Sequence, residues 1–285
     1  MNERRAAAKD AVLAAGELVR ERFGRRAGLN VEEKDRNDYV TATDKASEQL
    51  IVSMLTGEFP DIPFMAEEGG GDVGERLFWV IDPLDGTTNF IHGYPQVGVS
   101  IALIEERRVI VGVTYDPLRK EIFEAARGEG AFLNGRPISV ATERSIENCL
   151  LGTGFPFRTY DYLDPYLDTF RDLFLRCRGV RRAGAAVLDL AHLAAGRLNG
   201  FWELYLKPWD MAAGALMLAE AGGVVTALFG GDDYISAGNR VAANNVIPDE
   251  IVRVTSGTFT EAGVAPLSNG LISRPGGSGP GWVQA

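Results

Sequence analysis

Three features of the chain predict an α+β protein of two lobes: a helical apolar repeat over residues 3–23, a run of short strands between residues 77 and 138, and an alternation of strand and helix between residues 145 and 257. The lobes are expected at residues 1–144 and 145–256, followed by a disordered tail at residues 257–285. With 285 residues and 46% apolar content, the chain can bury a sizeable core as one large domain or as two closely packed lobes.

Ala8, Val12, Ala15, Leu18, Val19 and Phe23 recur at helical spacing among Arg, Lys and Glu, which is the pattern of an amphipathic helix. Glu32 to Asp38 are highly charged and have no period, so a solvated loop and a functional loop are equally compatible with them. Thr43 is placed to cap a helix whose inner face carries Ala46, Leu50, Met54 and Leu55, with Asp44 in its first turn as a dipole partner. Leu77 to Ile81 read as a buried strand with Asp82 at its carboxyl end, and Pro83 is expected to stop the ladder in a turn. Strands at 97–103, 109–115 and 122–126, with an Asn134-Gly135 turn between Phe132-Leu133 and Pro137-Ile138, predict an antiparallel sheet. Helices are then expected at 161–177, at 185–196 and from Asp210 onward, with Val224–Thr226 and Val241–Ala243 completing a second, mixed sheet. The segment from Gly257 to Ala285 is too rich in Gly, Pro and Ser to order itself, and residues 258–285 are expected to be dispensable.

Composition excludes several classes. Apolar runs fall far short of a membrane span, and Glu17 interrupts the N-terminal Ala-Val-Leu-Ala-Ala-Gly before it forms a secretory core, which argues for the cytoplasm and against a membrane protein. Cys149 and Cys177 have no metal spacing and are too few for a disulfide framework, so they read as buried, inert thiols. A formal charge of −10 argues against a direct nucleic-acid footprint, and suits a protein that gathers carboxylates around cations. His92 and His192 read as structural rather than chemical residues.

Asp82-Pro83-Leu84-Asp85-Gly86-Thr87-Thr88-Asn89-Phe90 places two carboxylates, a glycine and two hydroxyls directly after an apolar strand. Both carboxylates and the Leu84 carbonyl can converge on one hard cation, and oxygen ligands are what Mg²⁺ requires. Gly86 and Thr87 then present backbone N–H groups at a turn into a helix, where anions such as phosphate bind. An Asp-Pro-x-Asp-Gly turn with a capping Asp would account for four of these residues, but not for all nine.

This stretch resembles the first motif of the inositol monophosphatase family, Asp-Pro-(Ile/Leu)-Asp-Gly-Thr-x-Asn-(Phe/Tyr), at every position. The family's other signatures follow its order in Val40-Thr41-Ala42-Thr43-Asp44, Ala66-Glu67-Glu68 and Trp209-Asp210-Met211-Ala212-Ala213-Gly214 leading into Glu220-Ala221-Gly222-Gly223. The resemblance covers residues 1 to 255. Gly152 to Phe157 and Arg181 to Ala186 are similar to the bacterial branch. It implies a layered α-β-α-β-α sandwich of the inositol monophosphatase and fructose-1,6-bisphosphatase type.

The resemblance further implies two to three Mg²⁺ ions per site and hydrolysis of a phosphate monoester, most directly myo-inositol monophosphate, by metal-activated water. One ion falls to Glu67, Asp82 and the Leu84 carbonyl, a second to Asp82, Asp85 and Asp210, and a weaker third to Glu67 with waters. Thr87 and Glu67 orient the nucleophilic water, and Asp44 supports the water shell. Gly86 and Thr87 hold the phosphate. Glu203, Asp85, Asp210 and the backbone of Gly184, Ala185 and Ala186 contact the substrate, and Lys34 reaches the site from a mobile loop. The alternative for Glu203 is the polar face of a strand Phe201-Trp202-Glu203-Leu204. Lithium sensitivity and a homodimer are also implied, with residues 148–190 contributing contact through Phe155, Phe157, Tyr160, Leu173 and Phe174.

Three other readings bear on function. The haloacid dehalogenase motif Asp-x-Asp-Gly-Thr has a nucleophilic first Asp, but the extra residue here, Pro83 and the separate Trp209-Asp210 pair favour activated water. Fructose 1,6-bisphosphate and other small phosphate esters share the same metal core within the family. Some bacterial relatives act in ribosomal RNA transcription antitermination through protein contacts, for which Arg181-Arg182 offer a surface.

Overall fold

A strand hydrophobic on both faces must be covered on both faces, and that requirement organises the chain. The computed structural model describes residues 1–25, 30–35, 38–71, 76–156, 160–230 and 240–264. Helix α1 (Asn2–Arg22) leads to a two-stranded ribbon, β1 (Glu32–Asp35) and β2 (Asp38–Val40), and then to α2 (Ala42–Glu58). β3 (Phe64–Ala66), β4 (Leu77–Asp85), the short helix α3 (Thr87–His92), β5 (Gly98–Glu105), β6 (Arg108–Asp116), β7 (Glu121–Ala126), β8 (Gly130–Leu133) and β9 (Arg136–Pro137) follow. Strands β3 to β9 pair in sequence order as a seven-stranded sheet, parallel only between β3 and β4. After β10 (Leu150–Thr153) come α4 (Leu163–Arg176), β11 (Gly179–Arg181), α5 (Ala186–Ala194), β12 (Gly200–Glu203) and α6 (Pro208–Glu220). The described chain closes with β13 (Val224–Ala227), β14 (Arg240–Ala243) and α7 (Pro248–Glu261). The second sheet runs β11-β10-β12-β14-β13 and is mixed, with β10 parallel to both neighbours and β14 antiparallel to both of its own.

The strand period of two assigns each face of the first sheet its own core. Trp79 and Ile81, with Val99, Ile101, Val111 and Val113, meet Ala8, Ala11, Val12 and Ala15 of α1 and Ile51 and Leu55 of α2. Val80, Ala102, Phe123 and Ala125 face the other way, onto Leu190 and Ala191 of α5 and Met211, Ala212 and Leu216 of α6. Phe201 and Ala242 of the second sheet join that same cluster from beyond the helices. The outer face of the second sheet, with Trp202 and Val241, is covered by Tyr166 and Leu173 of α4 and by Ile251 and Phe259 of α7. The result is the layered α-β-α-β-α sandwich. Gly112 lets α6 approach β6, since a Cβ there would lie 2.8 Å from the Ala213 carbonyl oxygen and 2.9 Å from its Cα. Among the described residues no helix is long and apolar enough to cross a membrane.

Several expectations change. Thr41, not Thr43, caps α2: its Oγ1 accepts the Thr43 N–H at 3.1 Å, and Asp44 returns the contact by accepting the Thr41 N–H at 2.8 Å. The inner face of α2 carries Asp44, Ser47, Glu48, Ile51 and Leu55, whereas Ala46, Leu50 and Met54 are only partly buried, because the helix turns polar groups toward the site. Pro83 does not end its strand. The ladder skips one residue between Asp82 opposite Ser100 and Asp85 opposite Gly98, so the proline, which has no N–H to donate, sits in a bulge. α6 starts at Pro208 and carries Asp210 as its third residue, since proline's fixed φ suits the first helical position. Leu173 is core with no exposure, not interface surface. Phe157 and the tail from residue 265, with Trp282, lie outside the described residues. Cys149 is buried, and burial pushes its thiol up to about 11; Cys177 is half-buried and shifted the same way.

The boundary expected at Gly257 falls inside α7, where Phe259 is 1% exposed and Thr169 Oγ1 shares a hydrogen bond with Thr258 Oγ1. Truncation after Ser256 removes that packing. Phe259→Ala is expected to destabilise the protein by about 3–5 kcal/mol, the usual cost of emptying a buried aromatic site. Urea unfolding checks this; a loss under about 1 kcal/mol would show that α7 ends earlier in solution.

Candidate active site

The bulge in β4 decides the geometry, because one extra residue re-aims the chain so that Asp82, Leu84 and Asp85 turn into a common cavity. Gly86 follows with φ +86°, a left-handed conformation that favours glycine, and a Cβ there would lie 2.7 Å from the Gln96 carbonyl oxygen. α3 then opens at Thr87. The Thr87 hydroxyl lies 2.9 Å from Asp44 Oδ1 and 3.1 Å from the Leu84 carbonyl oxygen, both acceptors for its single proton. Asp44, fully buried, also accepts from Thr41 Oγ1 at 2.5 Å.

Neighbouring residues hold this arrangement. Ser47 Oγ donates to the Pro83 carbonyl at 2.6 Å, pinning the bulge to α2. Glu48 accepts the N–H groups of Glu68 and Gly69 at 2.8 and 2.7 Å, which fixes the loop carrying Glu67. Asp85 Oδ2 accepts the Val187 N–H at 2.8 Å in the first turn of α5, and Asp210 Oδ2 accepts the Lys207 N–H at 2.6 Å at the start of α6. Asn89 Nδ2 faces three carbonyls, Gln96 at 2.8 Å, Ala183 at 3.0 Å and Gly184 at 3.1 Å, joining α3 to the segment before α5. Asp82 is buried: its Oδ1 accepts the Leu84 N–H at 3.2 Å, and its Oδ2 has no hydrogen-bond partner.

The cavity has a volume of about 660 Å³. Of the residues singled out in the sequence, it is lined by Glu67, Asp82, Leu84, Asp85, Gly86, Thr87, Gly184, Ala185, Ala186, Glu203 and Asp210. Asp44 is buried outside the lining and is joined to it by the hydrogen bond it accepts from Thr87. Lys34 reaches from β1 to Glu68 Oε1 at 2.8 Å and Glu67 Oε1 at 3.5 Å. Tyr39, His92, Phe155, Arg182 and Tyr205 also line the cavity. None of these had been assigned to the site: Arg182 reads in sequence as a surface arginine, yet its guanidinium sits 5.8 Å from the Phe155 ring centroid at the rim. Asn89, Ser47 and Glu48 were missed too. The signal for Asn89 was its place in the first motif; nothing local marked the other two.

Burial drives the electrostatics. It pushes Glu67 up to about 8, opposed by Lys34 and reinforced by Asp210 and Glu68. Asp85 rises to about 8, first from burial and then from Asp210. Asp82 is shifted well above the carboxylate range by burial and by the charges of Glu67, Asp85 and Asp210. Asp44 is raised by burial against the hydrogen bonds from Thr41 and Thr87. Carboxylates so placed ionise together at neutral pH only beside a cation. The donor set is all oxygen and the buried Asp82 Oδ2 lacks a partner, so the residues fit a hard divalent cation such as Mg²⁺. Asp116, Glu121 and His192 also bring ligand atoms within 4.8 Å of one another, outside this cavity. There Arg119 already lies 2.6 Å from Asp116 and Arg197 2.5 Å from Glu121, so the two acids are neutralised without a metal.

Comparison with known proteins places this geometry. The model of the inositol monophosphatase family matches residues 1–257. A Pseudomonas aeruginosa protein named Nus factor SuhB is 50% identical over 240 residues, spanning 82% of this chain and 89% of the relative. The crystal structure of the extragenic suppressor protein suhB from Bartonella henselae superposes with a TM-score of 0.85 at 40% identity, covering 88% of this chain and 97% of that one. An IMPase of Thermotoga maritima gives a TM-score of 0.83 at 36% identity, covering 92% and 99%.

The raised carboxylates make stability depend on pH. Glu67 and Asp85 titrate near 8 in the fold but near 4.5 and 3.8 when unfolded, so between these limits the folded state holds protons that the unfolded chain has released. Without divalent metal, stability therefore falls as pH rises from about 5 to about 8. Scanning fluorimetry in chelator should show Tm declining across this window, and the increment from added Mg²⁺ growing with pH. A metal-free Tm that rises with pH would contradict this electrostatic picture.

Proposed function

Because the chain belongs to the inositol monophosphatase family, we propose that it is a cytoplasmic, Mg²⁺-dependent phosphomonoesterase acting on a small polyol phosphate, with myo-inositol monophosphate as the first candidate substrate. The observation that carries this reading is the convergence of Glu67, Asp82, Asp85 and Asp210 on one cavity beside the Gly86-Thr87 turn.

In this reading Glu67, Asp82 and the Leu84 carbonyl hold one ion, and Asp82, Asp85 and Asp210 hold a second, with Glu67 available to a third. When bound, the metal neutralises the phosphoryl oxygens, lowers the pKa of water and supports the leaving oxygen. The protein's own groups do the positioning. The Thr87 hydroxyl donates its proton in hydrogen bonds toward Asp44 and the Leu84 carbonyl, which leaves a Thr87 lone pair to accept from the attacking water and aim it together with Glu67. The N–H groups of Gly86 and Thr87 hold the phosphate. Glu203 accepts hydrogen bonds from substrate hydroxyls and the backbone of Gly184 to Ala186 contacts them, while Lys34 approaches the site through its contacts with Glu67 and Glu68. Fructose 1,6-bisphosphate is the alternative substrate, and Arg182 at the rim is the feature that would suit its second phosphate. A panel of phosphate esters compared by kcat/KM separates the two.

A second reading, regulatory protein contacts in a transcription complex, takes its support from the Pseudomonas aeruginosa relative named as a Nus factor. A surface for it exists: Tyr160, Leu167, Phe174 and Leu175 are 52%, 44%, 54% and 74% exposed on α4 and just before it. We assign the same surface first to a homodimer. Co-purification with transcription components that survives Asp82→Asn would favour the regulatory reading.

Asp210→Asn removes one anionic ligand and is expected to lower kcat by on the order of 10² or more. Phosphate release from myo-inositol 1-phosphate measures it, with inhibition by Li⁺ as a companion test. Retained turnover in folded protein would rule out the metal assignment. Light scattering at micromolar protein should give twice the chain mass, largely insensitive to salt, as an apolar interface of about 1,000 Å² or more requires.

A further inference from the structure

Gly154 follows the last residue of β10 and is buried, yet its φ lies in the ordinary range, so backbone conformation does not call for glycine there. What the position lacks is room. A Cβ on Gly154 would lie 1.9 Å from Glu203 Oε1, 2.0 Å from its Cδ and 2.4 Å from Oε2, so the Glu203 carboxyl group is seated directly against the Gly154 Cα.

The frame around this contact is rigid. β10 and β12 are parallel with Thr153 opposite Trp202, which brings the next residues, Gly154 and Glu203, side by side. Thr153 Oγ1 donates to the Trp202 carbonyl at 2.8 Å and shares a 2.7 Å hydrogen bond with the buried Tyr166 hydroxyl, locking the two strand ends together. The strands therefore have little freedom to part. The obstructed group, by contrast, is the end of a flexible side chain, so an added methyl would move the carboxylate and leave the sheet in place. Glu203 is half-buried and lines the same cavity as Asp85 and Asp210.

We propose that Gly154 is a specificity-determining position, whose missing side chain holds the Glu203 carboxylate in the place from which it reads substrate hydroxyls. The proposal rests on the reading of the protein as a polyol-phosphate phosphatase. Gly154 touches no reacting atom and acts through Glu203, as a positioning residue.

Gly154→Ala, assayed as the Mg²⁺-loaded full chain, separates the effect by substrate. Myo-inositol 1-phosphate presents hydroxyls; p-nitrophenyl phosphate has a leaving group without any. The ratio of kcat/KM between them is expected to fall about tenfold or more, because a carboxylate moved out of hydrogen-bond reach no longer favours the hydroxylated ester. The loss should lie mainly in KM, with Tm shifted by no more than about 2 °C. Placed in a Glu203→Ala background, where nothing remains to be displaced, the same substitution should leave the ratio as Glu203→Ala alone leaves it. An unchanged ratio in Gly154→Ala would overturn the proposal. So would an equal fall on both esters with a lowered Tm, or losses that add in the double variant, since each would assign the glycine to strand packing. Failure of the parent reading looks different: wild-type protein would cleave neither ester, and the selectivity claim would fall with it.

Discussion

Carboxylates repel one another most strongly where water is excluded, and the chain gathers Glu67, Asp82, Asp85 and Asp210 around one cavity in spite of this. Each raises the cost of ionising its neighbours, and burial raises it further. Such a site is stable as a pocket of neutral acids or as a nest of anions around a cation, and the rest of the fold must hold it in either state. Asp82 shows the constraint most sharply, with one oxygen satisfied by the Leu84 N–H and the other without a protein donor.

The layered architecture supplies that support from opposite directions. The first sheet delivers Asp82 and Asp85 from the bulged end of β4, and the loop after β3 delivers Glu67, held by Glu48 of the outer helix α2. The helices between the sheets contribute their N-terminal turns, where α5 gives the Val187 N–H to Asp85 and α6 carries Asp210. Helix N-termini bear partial positive charge, so anionic side chains placed there are partly offset. The second sheet adds Glu203 from the end of β12. A displacement of any one layer would pull a carboxylate out of the set, which ties the core packing of Val80, Met211 and Phe201 to the geometry of the cavity.

Hydrogen bonds between the residues around the cavity carry much of its precision. Asp44 closes the capping box of its own helix by accepting the Thr41 N–H and at the same time accepts the Thr87 hydroxyl, so one carboxylate serves the local fold and the site together. Asn89 does the same between α3 and the Ala183-Gly184 carbonyls, joining the Gly86-Thr87 turn to the Gly184-Ala186 wall of the cavity. These dual roles place polar groups in the interior without leaving them unsatisfied.

The sequence by itself determined the helix at the N terminus, the antiparallel run through the Asn134-Gly135 turn, and the acidic residues of the cavity other than Glu203, because periodicity and motif chemistry are local properties of the chain. It located Asp82, Asp85 and Asp210 by the company they keep, and left Glu203 open between a substrate contact and the polar face of a strand. Tertiary structure alone decided that Pro83 sits in a bulge and that Ser47 and Glu48 point inward: a bulge depends on its partner strand, and a polar helix residue faces the core only when a buried donor or acceptor meets it there. It also decided that Arg182 lines the rim and that Gly154 lies under Glu203. Contacts of that kind join residues distant in the chain, and no pattern within either segment announces them.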